Sequence, residues 1–268
     1  PEIFALKLII RGIVVMSECQ IFMEHVDMSY PSNVYNARSI KQDFFSWIKK
    51  EKQSVLLKDV HALNDFTFRA EEGDRVGVIG HNGAGKSTLL KTIAGIYPIE
   101  KGTLQVVGKI RSLFDISLGF DLESTGRENI LYRGLLLGAS PEEIASKEEE
   151  IIQFTDIGEF IDYPVKAYST GMAVRLAFAV STCLPGEILL LDEVVAAGDT
   201  TFQKKAKRRI LDLMDEAKIM VFVTHDLKMM REVCNRTLVM NNGQLLFDGD
   251  PDEAHKVYME NGNRSSTQ

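Results

Sequence analysis

Nine consecutive residues, Gly80 to Thr88 (GHNGAGKST), put three glycines ahead of a lysine and two hydroxyls. The spacing fits G-x-x-x-x-G-K-[ST], a pattern whose physical use is holding phosphate. Glycines at 80, 83 and 85 allow positive φ and a close approach of backbone to ligand that a side chain would block. The N–H groups from Gly80 through His81, Asn82, Gly83, Ala84 and Gly85 can then form a concave nest for phosphate oxygens. Lys86 is expected to span the β- and γ-phosphates, and Ser87, followed by Thr88, to offer its hydroxyl to Mg²⁺. The required context is present, because an apolar strand-like run, RVGVI (75–79), precedes the loop and a helical LLKTIAG follows it. A plain glycine-rich turn would need neither the lysine nor the hydroxyl, so the pattern predicts binding of ATP or GTP.

Two further runs end in groups suited to cleaving that phosphate. EILLLDE (187–193) reads as a buried strand ending in two acids. Parallel strands present their carboxyl ends to ligand crevices, which would bring Asp192 and Glu193 to the phosphates. Asp192 is the candidate Mg²⁺ ligand, through its water shell, and Glu193 the candidate base for the attacking water. Taken alone, such acids also serve as helix caps. The next strand-like run, IMVFVTHD, brings His225 to its end, where an imidazole can sense a γ-phosphate, although a lone histidine is more often structural. Upstream, YSTGM (Tyr168, Ser169, Thr170, Gly171, Met172) opens a helix with a serine and a glycine, a second exposed anion site or simply a capped helix start.

What must hold these groups in place is an alternation of buried strands and helices. Apolar runs at 21–26, 66–69, 75–79, 188–192, 219–223 and 237–240 predict strands, and the later ones are separated by helix-length periodic segments. That order predicts an α/β fold with a largely parallel sheet and crossover helices. Between about 126 and 182 the pattern is helical throughout (127–137, 141–155, 170–182), an all-helical insertion in the core. The end predicts a glycine-turn hairpin, a helix opened by Pro251 and a disordered tail over 261–268. One domain over 17–260 accounts for the length. Residues 1–16 are expected to be an upstream extension, with Met16 as the natural start. The segment 39–50, SIKQDFFSWIKK, places Ile40, Phe44, Trp47 and Ile48 at helical spacing among lysines. It is an amphipathic helix for a membrane interface or partner, or equally one packed on its own domain.

Composition narrows the partners. The 268 residues are 45% hydrophobic and 26% charged with a net charge of −7, which argues against a broad nucleic-acid-binding surface. The basic run KKAKRR (Lys204 to Arg209) is the exception, read as a solvated helix face. Cys19, Cys183 and Cys234 have no metal-ligand spacing and read as reduced thiols. No apolar run reaches the roughly 20 residues needed to span a bilayer, so crossing a membrane would fall to another subunit.

Together these motifs resemble the ATP-binding-cassette family, from about Ile21 to the end. The resemblance implies a P-loop ATPase core with an antiparallel β subdomain and a helical insertion, with ATP and Mg²⁺ as ligands. Tyr168 to Met172 look like its signature motif, YSTGM for the commoner LSGGQ, which in that family caps the ATP bound by the opposite copy. Asp192 and Glu193 match the Walker B acid and catalytic glutamate, and His225 the switch histidine. AAGD ending at Asp199 matches the D-loop. Tyr30 sits where the family places an adenine-stacking aromatic, with Tyr35 as the alternative. The usual Q-loop glutamine is missing near 109–115, where Asp115 is the nearest polar residue. LGFDLESTGRENI (118–130), YSTGM and DEVVAAGDTTFQKK resemble the exporters of O-antigen, capsule and teichoic acid. That implies a homodimer working with two copies of a polytopic permease at the cytoplasmic face of a bacterial inner membrane, on a lipid-linked glycan and not on nucleic acid. A cassette for another cargo, such as a solute or lipoprotein, and a non-transport cassette acting on DNA or ribosomes are the competing readings.

Overall fold

The computed structural model describes residues 19–31, 59–114, 119–192 and 200–265. Residues 1–16, Tyr35, the Ser39–Lys50 segment, Asp115, Glu193 and Ala196–Asp199 lie outside the described residues. The elements in chain order begin with β1 (Gln20–Pro31), β2 (Asp59–Glu71), β3 (Arg75–Gly80), α1 (Lys86–Ile93), β4 (Lys101–Val107) and β5 (Ile110–Leu113). Then come α2 (Gly126–Leu136), α3 (Pro141–Thr155), α4 (Thr170–Cys183), β6 (Ile188–Asp192) and α5 (Thr200–Glu216). The chain continues through β7 (Ile219–Val223), α6 (Leu227–Val233), β8 (Arg236–Asn241), β9 (Gln244–Gly249) and α7 (Pro251–Ser265).

These strands form two sheets. One is three-stranded and antiparallel, in the order β2-β1-β4, and the other six-stranded, in the order β5-β6-β7-β3-β8-β9. The larger sheet is parallel except for β9, which returns on β8 as the expected hairpin. Its central strands are apolar without interruption because both faces are covered. Side chains alternate across a strand, so Ile188 and Leu190 of β6 enter one core cluster while Leu189 and Leu191 enter another. β7 divides the same way, with Ile219, Val221 and Val223 on one side and Met220 and Phe222 on the other. The first cluster joins both sheets to α1 through Leu89, Leu90 and Ile93; the second is covered by α5, α6 and α7. Each fully buried aliphatic side chain there contributes about 1.5–3 kcal/mol.

The expected insertion holds α-helices and short 3₁₀ turns and no strand among the described residues from 126 to 183. It has its own interior, built on Ile130, Ile144, Ile151, Leu176 and Val180. Thr125 with Glu128, and Ser140 with Glu143, form reciprocal capping boxes at the starts of α2 and α3. Arg133 is buried in this subdomain, donates to Ser181 Oγ at 3.1 Å and lies 5.3 Å from the Phe120 ring. Burial pushes its pKa down to about 10, so it remains a cation at neutral pH.

The asparagine of GREN acts as a clasp. Asn129 is fully buried, and its amide donates to the carbonyls of Asp121 (2.9 Å), Thr125 (2.8 Å) and Ser124 (3.3 Å). Its Oδ1 accepts the Asp121 N–H at 2.8 Å, so one side chain ties the segment entering α2 to the helix itself. Replacing it with alanine strands several buried polar groups, each costing about 1–3 kcal/mol. Asn129→Ala is expected to lower stability by roughly 2–4 kcal/mol in urea unfolding, with the affinity of the folded protein for ADP unchanged. Wild-type stability would refute the clasp.

One strand is not foreseen by the sequence patterns, and one expectation needs correction. Lys101–Val107 pairs with β1 as a full strand, although its exposed, polar positions hid the period-two pattern. α7 runs to Ser265, into the stretch expected to be a disordered tail. Asp250 Oδ1 accepts the N–H groups of Asp252 and Glu253 at its start, and Asn261 Nδ2 donates back to the Val257 carbonyl at 2.9 Å. No helix among the described residues is long and apolar enough to cross a membrane.

Candidate functional site

The phosphate-loop sequence folds into a turn that its glycines make possible. β3 ends at Gly80, Gly83 and Gly85 take φ of 82° and 101°, and α1 begins at Lys86. A Cβ at Gly80 would collide with the Met240 carbonyl, and one at Gly85 with the Ala62 carbonyl. No side chain caps α1, which leaves its first N–H groups to a ligand at the positive end of the helix dipole. The loop is braced from behind. Asn242 and Gly243, with φ of 48° and 78°, form the β8–β9 turn, the conformation that favours Asn-Gly. The Gly243 N–H donates to the Ala84 carbonyl at 2.9 Å and its carbonyl accepts from Asn64 at 3.0 Å. The loop is thereby fixed to both sheets.

Within this frame Lys86 is 7% exposed, and its Nζ donates to the carbonyls of Gly80 (2.7 Å) and His81 (2.9 Å). These bonds hold the ammonium across the mouth of the loop. A cavity of about 330 Å³ opens there, lined by Asn82, Gly83, Gly85, Lys86, Ser87, Thr88, Asp192 and His225, with Ala62 and Val223. The register explains the convergence. Val223 pairs with Val78 of β3 on one side and with Asp192 of β6 on the other, so three carboxyl ends meet at one place. His225 follows β7 by two residues, and Asp226 begins α6 by accepting the N–H groups of Lys228 and Met229 at 3.0 Å. Among the expected loop residues, Gly80, His81 and Ala84 do not line the cavity. Gly80 and Ala84 are buried beneath it, and the His81 ring is turned aside, with Nδ1 2.7 Å from the Asn82 carbonyl and Nε2 2.6 Å from Asn241 Oδ1.

Tyr168 to Met172 lie elsewhere, at the start of α4. Ser169 is the N-cap, its Oγ accepting the Met172 N–H at 3.2 Å, and Thr170 is exposed beside it. Tyr168 donates to the Phe160 carbonyl at 2.7 Å, and burial raises the pKa of its hydroxyl. Gly171 is not crowded by its own chain; beyond the backbone of its own helix, a Cβ there would have Ser169 Oγ as its nearest neighbour at 3.8 Å. None of these five residues lines the cavity. The backbone of Tyr30 pairs with Val60, two residues from Ala62, which does. Sequence reasoning missed Ala62 and Val223; both are small or apolar lining residues without a chemical signal.

Among the described residues, no cluster of three or more His, Cys, Asp and Glu could hold a metal without help. Ser87 and Asp192 beside a phosphate loop do fit Mg²⁺, which is commonly held by one or two protein oxygens, water and substrate phosphates.

Comparison with known proteins agrees with this geometry. Residues 63–196 match the family described as ABC transporter. The O-antigen export system ATP-binding protein RfbE of Yersinia enterocolitica is 40% identical over 239 residues, 87% of this chain and 98% of that protein. RfbB of Myxococcus xanthus, with the same description, is 40% identical over 222 residues, 83% of this chain and 51% of its own length, so this chain spans about half of it. A dimeric post-hydrolysis state of an ATP-binding cassette bound to ADP and Pi shares the fold, with a TM-score of 0.61 at 19% identity, over 86% of this chain and 98% of that one. The chain belongs to the ABC transporter family and carries that family's ATP-hydrolysing cassette.

Proposed function

We propose that this chain is the nucleotide-binding subunit of a bacterial exporter, hydrolysing ATP in a head-to-tail dimer of identical copies. The hydrolysis drives a lipid-linked polysaccharide, of O-antigen, capsule or teichoic-acid type, across the inner membrane. One observation carries the dimer: Lys86, Ser87, Asp192 and His225 share a cavity, while Ser169 and the uncrowded Gly171 stand outside it at an exposed helix start. A glycine that its own chain does not require is suited to close approach by a ligand held on another chain. The cargo rests on 40% identity to O-antigen export ATP-binding proteins. A membrane-spanning partner, present in two copies, would hold this subunit peripherally at the cytoplasmic face.

Within the site, the loop N–H groups and Lys86 grip the β- and γ-phosphates, and Tyr30 stacks on adenine. Ser87 and Asp192 would hold Mg²⁺, which offsets charge on the phosphate oxygens. Glu193 takes a proton from the water that attacks the γ-phosphorus, the bond to the β–γ bridging oxygen breaks, and ADP and phosphate result. His225 contacts the γ-phosphate, Asp199 belongs to the D-loop, and Asp115 stands in for the missing glutamine. Positioning and charge stabilisation supply most of the rate.

Complementation tests the arrangement. A Lys86→Ala copy paired with a Gly171→Asp copy is expected to occlude one ATP per dimer, because one cleft still joins an intact loop to an intact signature turn. If each site were built within a single copy, both would be defective and no ATP would be occluded, which would refute the head-to-tail reading.

A further inference from the structure

The basic run Lys204 to Arg209 is left unused by the site, and two of its cations face the helical subdomain. Lys205 Nζ donates to the carbonyls of Phe154 (3.0 Å) and Gln153 (3.4 Å) and lies 4.4 Å from the Phe154 ring centroid. Arg209, one turn along α5, donates to the Thr182 carbonyl from Nε (3.2 Å) and a terminal nitrogen (3.0 Å), and pairs with Glu150 at 3.1 Å. Those carbonyls lie at the C-terminal ends of α3 and α4. Neither helix has a basic residue in its own last turn; α5 supplies a cation to each negative end, and Arg111 of β5 also donates to the Leu184 carbonyl just past α4.

Beneath the cations, Phe154 of α3, Phe178 of α4 and Phe202 of α5 form a closed trio with ring centroids 5.7–5.9 Å apart. Phe154 packs against both the second core cluster and the interior of the helical subdomain, which marks this trio as their junction. Aromatic contacts of this kind tolerate rotation, because stacked and edge-on geometries differ little in energy. Two directional cation contacts, spaced along one rigid helix, remove that freedom. α5 opens at Thr200, directly after the segment that holds Glu193 and Asp199, and α4 opens at the signature residues.

We propose that Lys205 and Arg209 are positioning residues that fix the tilt of the helical subdomain on α5 and so aim Ser169 and Gly171 at the nucleotide of a second copy. The aim at a second copy rests on the head-to-tail reading; the fixed tilt does not. The competing use of a basic run, a nucleic-acid surface, accounts for neither the Lys205 nor the Arg209 contacts. Lys204 and Lys207 are exposed, and Arg208 pairs with Asp212 at 3.4 Å.

The test uses the full chain with spin labels at Glu72→Cys and Glu159→Cys, exposed sites on the core and the helical subdomain; the three native cysteines are buried. Wild type is expected to give one narrow distance distribution. Lys205→Met/Arg209→Met, which keeps the stems and removes the charges, should broaden it roughly twofold, and Lys205→Arg/Arg209→Lys should restore it. Affinity for ADP should stay at the wild-type value, while the chain concentration giving half-maximal turnover rises roughly tenfold. An unchanged distribution in the methionine pair, no rescue by the charge-conserving pair, or a parallel loss of ADP affinity would overturn the proposal. Should the methionine pair fail to fold, the exposed Lys205→Met alone decides by the same widths. Wild-type turnover independent of chain concentration would sink the dimer reading instead, and the distance widths would still judge the tilt.

Discussion

Glu193→Gln should bind ATP as tightly as wild type and turn it over at least on the order of 10²-fold more slowly, the usual contribution of a general base. The expectation follows from position. Asp192 ends β6 in the lining of the nucleotide cavity, and Glu193 is the next residue in the chain. Glutamine keeps the size and hydrogen-bonding reach of the side chain but cannot accept the proton of the attacking water. Binding energy that normally precedes hydrolysis then has no outlet, so ATP-bound dimers should accumulate. Single-turnover kinetics and size-exclusion chromatography in ATP measure the two effects. Wild-type turnover would remove Glu193 as the base, and slow turnover without dimers would separate the chemistry from the assembly.

Lys86→Ala acts earlier, on binding. Its ammonium is held by two loop carbonyls, a preorganised charge that a phosphate meets without further ordering. Hydrogen bonds to charged groups contribute about 1.5–3 kcal/mol each, so losing contacts to two phosphates should weaken ATP affinity on the order of 10²-fold or more. ADP, which lacks the γ-phosphate, should lose less. Equal losses for both nucleotides in an equilibrium titration would place the lysine on the β-phosphate alone, and unchanged affinity would remove the contact. Export should fail with the binding.

Much of this site was legible in the chain because its parts are local. The glycines, Lys86 and Ser87 lie within one loop, and Asp192 and His225 each end an uninterrupted apolar run whose parallel pairing follows from burial on both faces. What was not legible depends on distant contacts. Nothing in the sequence says that the Asn242–Gly243 turn supports Ala84, that His81 turns away toward Asn241, or that Ala62 forms one wall. β4 escaped notice because an edge strand with polar, exposed positions carries little hydrophobic signal. Lys205 and Arg209 read as a solvated face because helical spacing shows which residues share a side, not what that side meets.

The helical subdomain's separate interior governs how the molecule comes apart under slow amide exchange. Because Ile130, Ile144, Ile151, Leu176 and Val180 shield chiefly one another, this interior can open as a unit distinct from the sheet. Deuterium should therefore enter in two blocks of differing protection, which meet at the boundary around Phe154.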